Sequence, residues 1–124
     1  MALNYYAKEL KENAQLLASK GKGILAVDES TKTVGKRLAG IGVDNTEENR
    51  KAYRGMLFTT KDLGKYISGA ILFEETLFQN HPDGEPMVKK LNDLGIIPGI
   101  KVDKGLNPLP GGNDVETFCS GLDG

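Results

Sequence analysis

Apolar positions change rhythm several times along the chain, and each change marks an element. Tyr6, Leu10, Ala14, Leu17 and Ala18 recur at spacings of three and four. That is the period of one helix face, with Asn4 placed to cap it and Lys20-Gly21 to stop it. The run Gly23-Ile24-Leu25-Ala26-Val27 has no polar interruption and ends in Asp28-Glu29-Ser30. It predicts a short strand covered on both faces, as in a parallel sheet. A short helix is expected over Thr31 to Leu38, starting from a hydroxyl-rich turn. Asn45-Thr46-Glu47-Glu48 opens another, with Ala52, Tyr53, Met56 and Leu57 as its apolar side and Arg50, Lys51 and Arg54 as its wet one. Ile67 to Phe73 reads as a second strand, interrupted by Gly69 and ending in Glu74-Glu75. Pro86 sits where a first helical turn tolerates it, and the stripe Met87, Val88, Leu91, Leu94 stops at Gly95. Ile96 to Val102 is the third strand, and Gly105 to Gly112 is a Pro- and Gly-rich loop.

Helix, strand, two helices, strand, helix, strand is a β/α alternation, and right-handed crossovers lay its strands parallel. The charged groups at the strand ends, Asp28, Glu74 and Lys101 with Asp103, then share one rim. Reactive groups collect at that carboxyl edge in barrels and in open parallel sheets.

Composition narrows the function classes. With 124 residues and a mass of 13.4 kDa, one domain with a modest core is the expectation. A net charge of −1 and a pI of about 5.8 supply no basic field for nucleic acid or an anionic membrane. No apolar segment approaches the roughly 20 residues that span a bilayer, and Met1 to Lys11 lacks the order of a secretion signal. One cysteine, Cys119, leaves no internal disulfide and no cysteine-based zinc set. A reducing, non-membrane setting fits these counts.

Three stretches carry candidate chemistry. Asp28 either caps the following helix or stands as a reactive carboxylate at the strand mouth. Ser30, Thr31 and Thr33 add hydroxyls beside the free N–H groups of a helix start, with Lys36 and Arg37 one to two turns on, which reads as a phosphate cradle or as plain capping. Lys101 lies inside an apolar strand with Asp103 on the same face. An ammonium there must be paired or have its pKa pulled down, unless the face is exposed. The single histidine, His81, sits in Asn80-His81-Pro82-Asp83-Gly84. Those are turn residues, and an exposed loop histidine is the expectation.

Several segments together resemble the class I fructose-bisphosphate aldolases. They are Gly21 to Ser30, Lys36-Arg37-Leu38, Asn45 to Arg50, Ile71 to Leu77 and Gly99 to Gly105, in order along nearly the whole chain. The resemblance implies a TIM (β/α)8 barrel of which residues 1–124 supply the N-terminal helix and about the first three β/α units. It implies a lyase of glycolysis and gluconeogenesis that cleaves fructose 1,6-bisphosphate to dihydroxyacetone phosphate and glyceraldehyde 3-phosphate. The route is a lysine Schiff base, with no metal and no cofactor. Asp28 resembles the family's catalytic aspartate beside the Schiff base. Ser30, Thr33 and Lys101 match positions that bind the phosphate at the aldehyde end, Thr33 standing where the animal enzymes usually have serine. Arg37 resembles the arginine near the other phosphate, and Arg50 is a weaker match for a substrate-binding position.

The same resemblance puts the Schiff-base lysine, the main acid/base glutamate and several phosphate ligands on later strands. A barrel usually takes about 250 residues, so the expectation is an N-terminal portion that is inactive alone and leaves strand edges open to pairing. Implied for the complete enzyme are a sugar bisphosphate ligand, a homotetramer, a cytoskeletal partner of the sort full aldolases have, and a cytoplasmic location with a plastid form as the alternative. A truncated, non-catalytic module that binds phosphosugar or a protein partner is the rival reading.

Overall fold

The computed structural model describes residues 5–122, so the expected cap at Asn4 lies outside the described residues. Helix α1 is Ala7–Leu17, followed by strand β1, Gly23–Val27. Two helices, α2 (Thr31–Ala39) and α3 (Glu47–Phe58), and a single turn, α4 (Leu63–Tyr66), lead to β2, Ile67–Leu72. A second one-turn helix, α5 (Glu74–Leu77), and then α6 (Met87–Asp93) lead to β3, Ile97–Ile100. Strands β4, Gly105–Pro108, and β5, Thr117–Ser120, close the described chain as an antiparallel pair.

The first three strands form one parallel sheet in the order β1-β2-β3, as the alternation predicts. Their pairing is in step except at one place. Gly23 faces Ile67 but Ile24 faces Gly69, so Ser68 is an extra residue bulging from β2. Its freed hydroxyl lies 2.8 Å from the Leu17 carbonyl and 3.2 Å from that of Gly23. The bulge thereby fastens α1 to the sheet.

The core lies on one face only. Val27, Ala70, Leu72, Phe58, Met87, Leu91 and Ile96 are buried together there, between strands and helices α3 and α6. Each of these side chains larger than Ala70 contributes about 1.5–3 kcal/mol by leaving water. The other face is open: Ile24 is 52 % exposed, and α1 touches the sheet mainly where Leu17 packs on Gly69. A strand covered on both sides, as predicted for β1, is therefore not what the described residues form. Helices α2 and α3 begin as their sequences predict, because the Ser30 hydroxyl accepts from the Thr33 N–H and that of Thr46 from the Asn49 N–H. Among the described residues, no helix is long and apolar enough to cross a membrane.

Helix α3 differs in one respect that matters for the site. Its inward stripe is Arg50, Arg54, Leu57 and Phe58, while Met56 is 61 % exposed and Ala52 also faces water. The arginines read as a wet face are buried, because strand-end carbonyls and a carboxylate wait for them. Residues 105–108, read as loop, form a strand because they find a partner in residues 117–120. His81 is tucked against Gly55 and Asp83 rather than loose in solvent, with 19 % of its side chain exposed.

Candidate active site

Sheet register brings the predicted site together. Val27 pairs with Leu72 and Leu72 with Ile100, so Asp28, Phe73 and Lys101 follow as one row just past the strand ends. The Lys101 N–H still donates to the Leu72 carbonyl at 2.9 Å, which prolongs the ladder and aims the lysine at the opening. From there its side chain reaches across β2. Nζ lies 3.3 Å from Asp28 Oδ2 and 2.6 Å from Asp103 Oδ1. The Gly105 N–H in turn donates to Asp103 Oδ2 at 3.2 Å.

Of the outcomes open to Lys101, pairing is the one adopted. Hydrogen bonding to Asp103, then to Asp28, raises the ammonium pKa above its usual value, and the same ammonium lowers the Asp103 carboxyl. Lys101 is 28 % exposed and charged, a poor nucleophile but a good anion donor. An ammonium has three N–H groups, and two are committed here. The third is available to a ligand in the hollow of about 470 Å³ lined by Ser30, Phe73, Glu74, Lys101, Asp103 and Lys104 among others.

Ser30 borders that hollow while capping α2. Its Oγ sits 3.4 Å from the Thr33 N–H and 3.2 Å from the Thr33 hydroxyl. Capping is thus the role the hydroxyl of Ser30 takes, and it sets the Thr33 hydroxyl beside it at the start of α2.

The two arginines matched to substrate positions are elsewhere. Arg37 lies on the outer side of the β1–α2 turn, bonded to the Glu29 carboxylate and, at 2.8 Å, to the Tyr53 hydroxyl; both raise its pKa, the Tyr53 bond most. Arg50 is buried, with Nε and Nη2 on Glu75 at 2.9 and 2.5 Å and Nη1 on Asn45. Its hydrogen bond holds the Glu75 carboxyl below the usual glutamate range. A guanidinium so occupied has no fork left for phosphate in this arrangement.

Arg54 is the residue that sequence reasoning missed. It is 0 % exposed, its Nε donates to the Val27 carbonyl at 3.0 Å and its Nη2 to that of Glu29 at 2.6 Å. The spacing of residues 50, 54, 57 and 58 could have shown an inward stripe, had arginine been allowed an inward place.

Residues 9–124 match the glycolytic family model described as fructose-bisphosphate aldolase class-I. A chloroplastic fructose-bisphosphate aldolase 3 of Arabidopsis thaliana is 61 % identical over 96 % of this chain and 30 % of its own length. For fructose-bisphosphate aldolase 1 of Toxoplasma gondii the identity is 64 % over 95 % of this chain and 32 % of the relative. A Plasmodium falciparum fructose-bisphosphate aldolase, solved in complex with TRAP and a small-molecule inhibitor, superposes with a TM-score of 0.88 at 57 % identity. That match covers 96 % of this chain and 34 % of the other. The chain spans about a third of the length of the relatives it matches.

Proposed function

Because the chain belongs to the class I fructose-bisphosphate aldolase family, we propose that its residues 1–124 are the N-terminal part of an aldolase (β/α)8 barrel. The observation that carries the reading is the Lys101 ammonium held between Asp28 and Asp103 where parallel strands end. The proposed reaction is reversible cleavage of fructose 1,6-bisphosphate to dihydroxyacetone phosphate and glyceraldehyde 3-phosphate. In it a lysine amine on a later strand condenses with the ketone. The resulting iminium draws the electron pair of the C3–C4 bond toward itself as that bond breaks and the C4 hydroxyl loses its proton. Protonation of the enamine at C3 and hydrolysis then free the second product and the amine.

Within that scheme Asp28 is the catalytic carboxylate of this segment. Its negative charge beside the iminium favours the cationic state, and it assists the proton steps. Lys101, with Ser30 and Thr33, binds the phosphate at the aldehyde end through the unused N–H and the hydroxyls. Arg37 reaches the other phosphate only by exchanging Glu29 for the ligand, and Arg50 braces the site through Glu75. The complete enzyme is proposed to be a homotetramer acting in cytosol or plastid, the second because relatives such as the Arabidopsis protein carry chloroplastic names. A second reading, a protein-interaction segment, draws on the TRAP complex of the Plasmodium relative. Retained TRAP binding by this chain with no phosphosugar binding would favour it.

Borohydride trapping with dihydroxyacetone phosphate tests the main reading. The complete enzyme is expected to be labelled at a lysine outside residues 1–124, and the 124-residue chain alone is expected to take no stoichiometric label. Trapping on Lys101 would overturn its assignment as a binding group.

A further inference from the structure

Arg54 is fully buried, and taking a guanidinium out of water is costly unless its donors are occupied. Burial pushes its pKa below the ordinary arginine value, and the Glu29 and Glu75 carboxylates push back. The donors that are occupied fall on two particular acceptors, the carbonyls of Val27 at 3.0 Å and Glu29 at 2.6 Å. These are the carbonyls of the two residues that flank Asp28. Carbonyls two residues apart in an extended chain point the same way, so one planar fork can hold both. The guanidinium also lies over the ring of Phe73, at 5.9 Å from its centroid, and Phe73 is the neighbour of Asp28 in the strand-end row. Arg54 thus grips the backbone around the aspartate from the helix side, while the aspartate's carboxylate faces Lys101 on the open side.

We propose that Arg54 is a positioning residue for Asp28, holding the carbonyls of the residues before and after it so that the carboxylate stays aimed at the strand mouth. The inference rests on the reading of Asp28 given above. A lysine at 54 keeps the charge but has no fork, so it holds one carbonyl at a time and lets the aspartate swing.

The test uses the complete enzyme carrying these residues. Arg54→Lys is expected to lower kcat about 10- to 100-fold, the cost of a misplacement near 1 Å, with KM for fructose 1,6-bisphosphate nearly unchanged. Arg54→Gln, which retains one amide donor, covers the case in which the lysine variant does not fold. Phe58→Leu alters a buried residue of the same helix that does not bond the strand end, and is expected to lower Tm but keep kcat within about twofold. In an Asp28→Asn background, Arg54→Lys should cost kcat nothing further, because no carboxylate remains to be aimed. An undiminished loss in that background, or a kcat loss no larger than that of Phe58→Leu, overturns the positioning role and leaves the Asp28 reading standing. Unchanged kcat in Asp28→Asn itself removes that reading, and the proposal falls with it.

Discussion

The two faces of the parallel sheet carry the same kinds of groups to different ends. On the helix side, charge is dry: Arg54 is fully buried and Arg50 is locked to Glu75, among Phe58, Leu72 and Leu91. On the open side, Lys101 and Asp28 keep about a quarter of their surface in water, at 28 % and 24 %. A buried ion pair that loses one member leaves a stranded charge, whereas a wet one is rescued by solvent. The helix side therefore holds the strand ends in place, and the open side is left able to exchange partners with a ligand.

That contrast can be broken by mutation. Leu91→Ala, in the dry layer, is expected to cost about 3 kcal/mol in chemical denaturation, and Ile24→Ala on the open face less than about 0.5; equal losses would erase the distinction. Glu75→Gln should cost about 2 kcal/mol, less than the 3–5 of a fully sealed pair because a fifth of Glu75 is wet, at 21 % exposure. The variant also has a pH signature. Since Arg50 depresses the Glu75 pKa in the folded state, the pair's contribution is complete above the unfolded value of 4.5 and is lost as pH falls through the lower folded one. The acid limb of stability against pH should flatten in Glu75→Gln.

Smaller effects sharpen the same contrast. Gly69→Ala places a methyl into Leu17, so it should loosen α1 for about 1 kcal/mol and leave the helix-side core alone, as read by amide exchange in α1 against α6. Asp103→Asn should cost little stability, because the pair it breaks is wet. It should also bring the Lys101 pKa down toward its usual value, with the titration followed by NMR, because Asp103 is the main cause of the rise. Since a raised lysine pKa stabilises below the unfolded value and is lost as pH climbs through the folded one, the stability gap between parent and variant should be open below that unfolded value and close on the alkaline side.

Much of the parallel sheet was legible in the sequence. The apolar run before Asp28 marked β1, and that around Lys101 marked β3, although β3 ends at Ile100 and leaves Lys101 just past the strand rather than inside it. The two-residue period tied Lys101 to Asp103. The meeting of Lys101 with Asp28 followed from topology alone. What stayed hidden has a physical pattern. Arg50 and Arg54 look like solvent-facing residues to any reading that scores polarity, because the acceptors that permit their burial, Glu75 and the carbonyls of Val27 and Glu29, are 25 to 27 residues away. The pair β4–β5 has little alternation and a proline at Pro108, so its pairing is set by the partner strand rather than by its own letters. His81 sits in turn residues as read, but the absent side chain at Gly55 gives its ring a niche that no local pattern reveals.

The extra residue at Ser68 has a reach beyond fastening α1. Side chains in a sheet alternate with a strict two-beat count, so a strand that skips a beat changes which of its residues look up and which look down relative to its neighbour. With the skip, Asp28 shares its beat with Phe73; without it, the aspartate would fall in with Leu72. Were Ser68 to take a place in the ladder instead of bulging from it, either an acid would turn into oil or a leucine into water, and by this count one small residue at the start of β2 sets the polarity of a cleft five residues downstream.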